Sequence, residues 1–264
     1  MYKMVAVDMD GTLLNDEHQL TEENILAVQK AQELGVKVVP FTGRAFYTII
    51  DIARQLKLRD AAATQNASTV VNPLDGSILF QNTIPPEICR DILFHAQEQG
   101  LLPMVYQGDL VYTKMKGKYL DIFEKCMFMK ATYIDDVLKI YNGEPLGKIL
   151  LMDDPEKLNT FNDWLMEEHG DQIFAGYSYE FALEIGSISK GKQMLQVAKY
   201  LDISPNEIMA IGDGHNDLDM LNRAGFAVAM ENAMDVVKSK ADFITKSNNN
   251  SGVAHAINRF ILKR

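Results

Sequence analysis

Cysteine is scarce in this chain: two thiols, Cys89 and Cys126, among 264 residues. That excludes a disulfide framework. Because the first apolar strand follows the N-terminus directly, no signal or transit peptide is expected. Free thiols in a reducing cytoplasm are therefore expected. Positive charge is also in short supply. Lys and Arg number 26 against 36 Asp and Glu, a formal net charge of −10, with a pI near 5.0. Such a balance argues against a nucleic-acid or anionic-membrane partner. It also obliges an anionic substrate to find local positive charge, from a metal, a lysine or a helix N-terminus. No apolar run approaches transmembrane length. No Gly-rich Walker-type loop is present, which argues against a nucleotide kinase or ATPase. Internal repeats and low-complexity linkers are missing too; Ser247–Gly252 is only a short polar loop.

What is present is a hydrophobic share of 47%, enough for a sizeable core in one large or two modest domains. Met4–Val7 reads as a buried strand running into Asp8-Met9-Asp10-Gly11-Thr12. Thr21 caps a helix whose apolar stripe is Ile25, Val28, Ala31 and Leu34. Val36–Phe41 is a second strand, ending in Thr42-Gly43-Arg44, and Ala61–Thr64 a third. This alternation predicts a parallel sheet with helices on both faces. A hairpin is expected around Asn72–Gly76. From about Pro85 the pattern becomes mixed. Helices are expected over 86–99, 119–128 and 155–168, and strands over 104–106, 110–112, 148–152 and 179–185. The alternating pattern resumes at Ser189-Lys190-Gly191, and a strand over 207–211 ends in Gly212-Asp213-Gly214-His215-Asn216-Asp217. The fold class is thus α/β: a Rossmann-like parallel-sheet core over 1–82 and 187–264, with an inserted α+β domain over 83–186.

Strand residues alternate faces, so Asp8 and Asp10 are expected to point the same way. Two adjacent carboxylates at a strand end repel unless a hard cation intervenes, and open α/β sheets place ligands there. A solvated acidic turn is the plain alternative. An EF-hand loop is excluded, because the twelfth position from Asp8 is Gln19 and the flank is strand-like. Asp213, Asn216 and Asp217 form a second polar cluster at another strand end. Thr42 and Gly43 lie at a strand-to-helix turn, where outward N–H groups can hold a phosphate oxygen. Lys190 opens a helix and offers a mobile positive charge. An oxygen nucleophile, a hard metal and donors for three equatorial oxygens together suit phosphoryl transfer. Taken singly, Thr42-Gly43 and Asn216 could be helix caps, and Lys190 an ordinary surface lysine.

Four motifs in this order, DMDGTLL at 8–14, FTGR at 41–44, SKG at 189–191 and GDGHND at 212–217, resemble the haloacid dehalogenase superfamily, and within it the Cof-type sugar phosphatases. The resemblance spans nearly the whole chain. It implies that Asp8 is a nucleophile forming an aspartyl-phosphate and that Asp10 is the general acid and then base. It implies phosphate binding by Thr42, Gly43, Lys190, Asn216 and the Met9 amide. Mg2+ would be held by Asp8, the Asp10 carbonyl and Asp213, with Asp217 in support. The insert would be a substrate-selecting cap. The implied activity is a phosphomonoesterase acting on a small phosphorylated metabolite, in a monomer or weak homo-oligomer. A phosphosugar mutase and a non-enzymatic phospho-switch remain open.

Two departures from the family pattern stand out. Asn66-Ala67-Ser68 replaces the usual Asn-Gly-Ala, and Ala accepts positive φ less readily than Gly. His215 replaces a frequent Glu, and a solvated loop histidine is expected there. In the insert, Tyr106, Tyr112, Lys148, Tyr179 and Glu184 are candidates to face substrate.

Overall fold

The computed structural model describes residues 2–108 and 110–263. Strand β1 (Met4–Val7) is fully buried and lies beside β2 (Lys37–Pro40). Between them runs the helix Glu22–Glu33, where the Thr21 side chain accepts from the Asn24 N–H and Glu22 and Glu23 occupy the first turn. Both features favour a helix start. Next come β3 (Ala62–Thr64), β4 (Thr69–Val71) and β5 (Ile78–Gln81), then β6 (Met104–Gln107), β7 (Leu110–Thr113), β8 (Ala131–Tyr133), β9 (Lys148–Met152), β10 (Phe174–Tyr179) and β11 (Ala182–Gly186). The chain closes with β12 (Ile208–Gly212), β13 (Phe226–Ala229) and β14 (Phe243–Ile244).

The main sheet has the order β14-β13-β12-β1-β2, and every pairing in it is parallel. Its strands read as continuous apolar runs because both faces are covered. From β1 the chain moves outward to β2, but after the insert it returns to β1's other side as β12. The strand order therefore reverses between β1 and β12, and the carboxyl ends of these two strands flank the crevice where such sheets bind ligands. One hydrophobic cluster joins residues from Met4 to Val71 with residues from Met194 to Ile261.

The inserted segment builds a six-stranded sheet of order β10-β11-β9-β6-β7-β8, antiparallel except for the β7–β8 pair. Its alternate residues feed two separate cores. Val105, Ile149 and Leu151 pack into one cluster, with the helices Pro86–Glu98 and Pro155–His169. Met104, Tyr106, Leu150 and Met152 pack into the other, with Phe123 of the helix Lys118–Met127. No helix among the described residues is long and apolar enough to cross a membrane.

Several expectations need correction. The third strand does not extend the parallel sheet. β3 pairs antiparallel with β4, which pairs with β5, and this ribbon meets the end of β2 through the parallel Phe41–Ala63 bridge and the Thr42 and Asn66 N–H groups, which bond the Ala63 and Thr42 carbonyls at 3.0 Å. The strand expected over 179–185 is two strands, because the chain reverses at Glu180-Phe181. β8 and the short helix Val137–Ile140 were not foreseen. Leu34, assigned to a buried stripe, is the helix's C-cap and is 59% exposed.

Candidate active site

Asp8 leaves the carboxyl end of β1 and Asp213 leaves that of β12, so the strand reversal brings residues 205 apart in sequence to one crevice. β1 ends at Val7, so Asp8 and Asp10 belong to the following loop rather than to the strand. Strand alternation therefore does not set their directions, and they have different partners. Asp8 is buried, and its Oδ1 lies 2.5 Å from Lys190 Nζ. Asp10 is partly exposed and held from the side by Arg44, whose Nε donates to Oδ2 at 2.8 Å while Nη2 meets Oδ1. His18 Nδ1 lies 3.1 Å from the same Asp10 Oδ1.

Lys190 is not the mobile charge expected. It is buried at the start of the helix Lys190–Tyr200, and its Nζ bridges Asp8 Oδ1 and Asp217 Oδ1, both at 2.5 Å. Ser189 caps that helix by accepting from the Lys192 N–H. Burial opposes charge on Lys190, but Asp217 and Asp8 outweigh it and raise its pKa. Asp217 spends its other oxygen on the Asp213 and Gly214 N–H groups, at 2.9 and 3.0 Å, which fixes the loop after β12. Asp213 accepts from the Thr12 hydroxyl at 2.5 Å. Gly11 has φ 79°, and a Cβ there would stand 2.5 Å from Asp213 Oδ2, so the approach of the two loops requires glycine.

The carboxylate oxygens of Asp8, Asp213 and Asp217 lie within 4.8 Å of one another. Burial first, and Asp217 second, hold the Asp8 carboxyl well above its usual range in spite of Lys190. The same two causes push Asp213 up to about 7. When all three are ionised, Lys190 alone leaves an excess of negative charge. The donor set is all oxygen, so it fits a hard divalent cation of the magnesium type. The Asp10 side chain is outside this cluster, which leaves only its carbonyl for the role the resemblance gave it.

Thr42 is buried, and its hydroxyl accepts from the Arg44 N–H at 3.1 Å, tightening the turn after β2. Gly43 faces the crevice, and a Cβ on it would meet the Asn66 side chain at 3.1 Å. Asn66 belongs to a left-handed run in which Gln65, Asn66 and Ala67 have φ of 53°, 47° and 76°. Ala67 thus adopts the conformation for which glycine is favoured. Met9 is wholly buried and is not among the residues that line the cavity. His215 is exposed at the cavity rim, and Asn216 lines the cavity.

The crevice is a cavity of about 910 Å³. Asp8, Asp10, Gly43, Asp213 and Asn216 line one wall, and Phe174, Tyr177, Tyr179 and Glu184 of the inserted sheet line the other. Thr42 and Lys190 are not among the residues that line this cavity. Tyr112 does not reach the cavity lining, and the Tyr106 ring is buried against Phe123. No role was assigned from the sequence to Arg44, His18, Asn66, Thr12, Phe174 or Tyr177. Arg44 was quoted in its motif, and a cation two residues beyond a polar strand end could have been matched to the acidic pair.

The family model for haloacid dehalogenase-like hydrolases matches residues 5–257. The chain belongs to that family. Among curated proteins, phosphatase YwpJ of Bacillus subtilis is 31% identical and covers 98% of this chain and 100% of its own length. The 5-amino-6-(5-phospho-D-ribitylamino)uracil phosphatase YcsE of the same organism is 30% identical over 98% of this chain and 96% of its own. Among solved structures, a haloacid dehalogenase-like hydrolase from B. subtilis superposes with a TM-score of 0.87 at 30% identity, covering 98% of this chain and 100% of that one. A counterpart from Bacteroides thetaiotaomicron gives 0.84 at 28% identity, covering 99% and 100%. In this family frame the six-stranded unit is the cap, and the crevice lies between cap and core.

Proposed function

We propose that this chain is a magnesium-dependent phosphomonoesterase acting on small phosphorylated metabolites, with sugar phosphates as the substrate class. The observation that carries the reading is Asp8: a buried carboxylate at the strand reversal, paired with Lys190 and facing the cavity. Core residues 1–82 and 187–264 perform the chemistry, and the cap over 83–186 meets the rest of the substrate. Lys190, Thr42, the Gly43 and Met9 amides and Asn216 orient the phosphoryl oxygens. An Asp8 carboxylate oxygen attacks phosphorus, the ester P–O bond breaks, and Asp10 gives its proton to the leaving oxygen. Asp10 then takes a proton from water, whose oxygen attacks the aspartyl-phosphate. The bond to Asp8 breaks and inorganic phosphate leaves. Magnesium, held by Asp8, Asp213 and the Asp10 carbonyl with Asp217 behind them, supplies charge neutralisation for this site. Arg44 fixes the Asp10 carboxyl for both proton transfers.

Phosphate release from 4-nitrophenyl phosphate and from alkyl phosphates tests the reading. Asp8→Asn keeps the shape but removes the attacking charge, so turnover falls by about four orders of magnitude. Excess chelator abolishes the wild-type activity and magnesium restores it. Residual Asp8→Asn activity within about tenfold of wild type would exclude covalent catalysis. Phosphoryl movement between hydroxyls without phosphate release would make the protein a mutase.

A further inference from the structure

Beneath the main cavity lies a side pocket of about 20 Å³, lined by Asn66, Lys190 and Asn216 from the core and by Lys148 and Glu184 from the cap. That is room for a single water- or hydroxyl-sized group. Its polar lining is unusual for the cap. Lys148 on β9 and Glu184 on β11 share a sheet face with Leu150, Met152 and Ala182, which are all core residues. Yet the Lys148 side chain is 2% exposed and the Glu184 side chain 10%. Their charges meet at 3.1 Å, but off the hydrogen-bonding direction, so Lys148 Nζ finds no hydrogen-bond acceptor among the described residues. Asn66 Oδ1 is likewise buried with no donor.

A buried ion pair in an apolar sheet is expensive to desolvate and is often no better than apolar side chains of similar volume. Unmet buried donors and acceptors add to that cost. Stability therefore does not explain this group. Its position does: it adjoins Lys190 and Asn216, the residues that orient the phosphoryl group in the proposed function.

We infer that Glu184, Lys148 and Asn66 form a subsite for a hydroxyl carried close to the phosphate ester, so that the enzyme selects polyol phosphates over simple alkyl phosphates. The inference rests on the phosphomonoesterase reading and deepens it. The Glu184 carboxylate accepts a hydrogen bond from the substrate hydroxyl, while Lys148 or the Asn66 amide group donates to its oxygen. The Asn66 carbonyl oxygen offers a second acceptor. Cap and core each supply part of the subsite, so it is complete only when the cap is against the core. A site built to hydrogen-bond a hydroxyl rejects an analogue lacking it strongly, because its buried polar groups are then left unpaired.

The test compares two esters that differ in one hydroxyl: glycerol 3-phosphate and the monophosphate of propane-1,3-diol. Wild-type kcat/KM should favour the glycerol ester by about a hundredfold or more. The double variant E184L/K148M replaces the pair with apolar residues, an exchange that buried ion pairs generally tolerate without loss of stability. Its preference should shrink to about threefold or less, through loss on glycerol 3-phosphate, with its melting temperature no lower than wild type. Turnover of 4-nitrophenyl phosphate reports that the phosphoryl chemistry still runs. The wild-type ratio needs no variant to fold, so a ratio near one overturns the subsite outright. Equal loss on both esters in the double variant also overturns it, by making the pair structural. If even the aryl phosphate releases no phosphate from the wild-type protein, the phosphatase reading itself falls.

Discussion

At the scale of single residues, the two aspartates of the first loop differ in what holds them. Asp8 shares Lys190 with Asp217 in a buried triad, whereas Asp10 is gripped by the Arg44 fork at the cavity edge. The other side of Arg44 is covered by Phe128 of the cap, 4.5 Å from the guanidinium. A planar, two-point grip sets carboxylate orientation in a way that a single ammonium cannot. Arg44→Met should therefore free the Asp10 carboxyl to rotate. An alkyl ester needs a well-placed proton donor, and such donation contributes roughly 10²–10⁴ in rate. A nitrophenolate leaves without help. The variant should lose about a hundredfold in kcat on an alkyl phosphate but less than about tenfold in the first turnover of 4-nitrophenyl phosphate. Stopped-flow nitrophenol release beside steady-state phosphate assay measures both, and an equal loss would give Arg44 a purely structural role. The acidic residues were legible in the sequence because their types and spacing carry the chemistry. Arg44 and His18 were not, since their pairing with Asp10 depends on loop geometry that no spacing rule describes.

At the scale of elements, the segment 65–67 is a strained part of the site. Its three successive non-glycine residues in left-handed backbone lie between the Thr42-Gly43 turn and the cap. Gln65 Nε2 donates to the Gly108 carbonyl of the cap at 3.0 Å, and Asn66 crowds Gly43. A left-handed alanine costs roughly 1–2 kcal/mol. Ala67→Gly removes that cost but restores unfolded-state entropy of roughly 0.4–1 kcal/mol. The net expected gain is about 0.5–1 kcal/mol, a rise of about 1–3 °C in melting temperature for a chain of this size. A fall in calorimetry would mean that the Ala67 methyl, buried at 3% exposure, contributes more by packing than its backbone loses. The sequence flagged Ala67 because the pattern there favours glycine. It hid the β10–β11 reversal, because Glu180-Phe181 carries none of the usual turn residues. It also misplaced β3, since a short apolar strand reads the same whether its neighbours run parallel or antiparallel. Long periodic helices and the central strands were readable because their burial pattern is set locally.

At the scale of the whole molecule, folding gathers like charge at the one place where the sheet order reverses. Asp8 comes from one end of the chain and Asp213 and Asp217 from the other, and the core is continuous across both. The parallel architecture was legible from the alternation of strands and helices, while the crowding of three carboxylates around Lys190 required the assembled fold. That crowding makes stability depend on pH. Asp213 titrates near 3.8 when unexceptional but is pushed up to about 7 in the folded protein. Between these values the folded state holds a proton that the unfolded chain has already released. Stability of the metal-free protein through this group is therefore greatest below pH 4 and falls as pH rises to about 7. Asp8, also raised, acts in the same direction. On the proposed reading magnesium would bind the ionised carboxylates, so its stabilisation should grow across the same window. The metal-free melting temperature should then be lower at about pH 8 than at about pH 5, and saturating magnesium should raise it more at the higher pH. Other groups titrate too, so the control is Asp213→Asn, which removes the ionisation and weakens the metal site together. In that variant the pH difference should flatten and most of the magnesium gain should vanish. A magnesium gain that is the same at both pH values, or that survives intact in Asp213→Asn, would show that the cation binds away from this cluster.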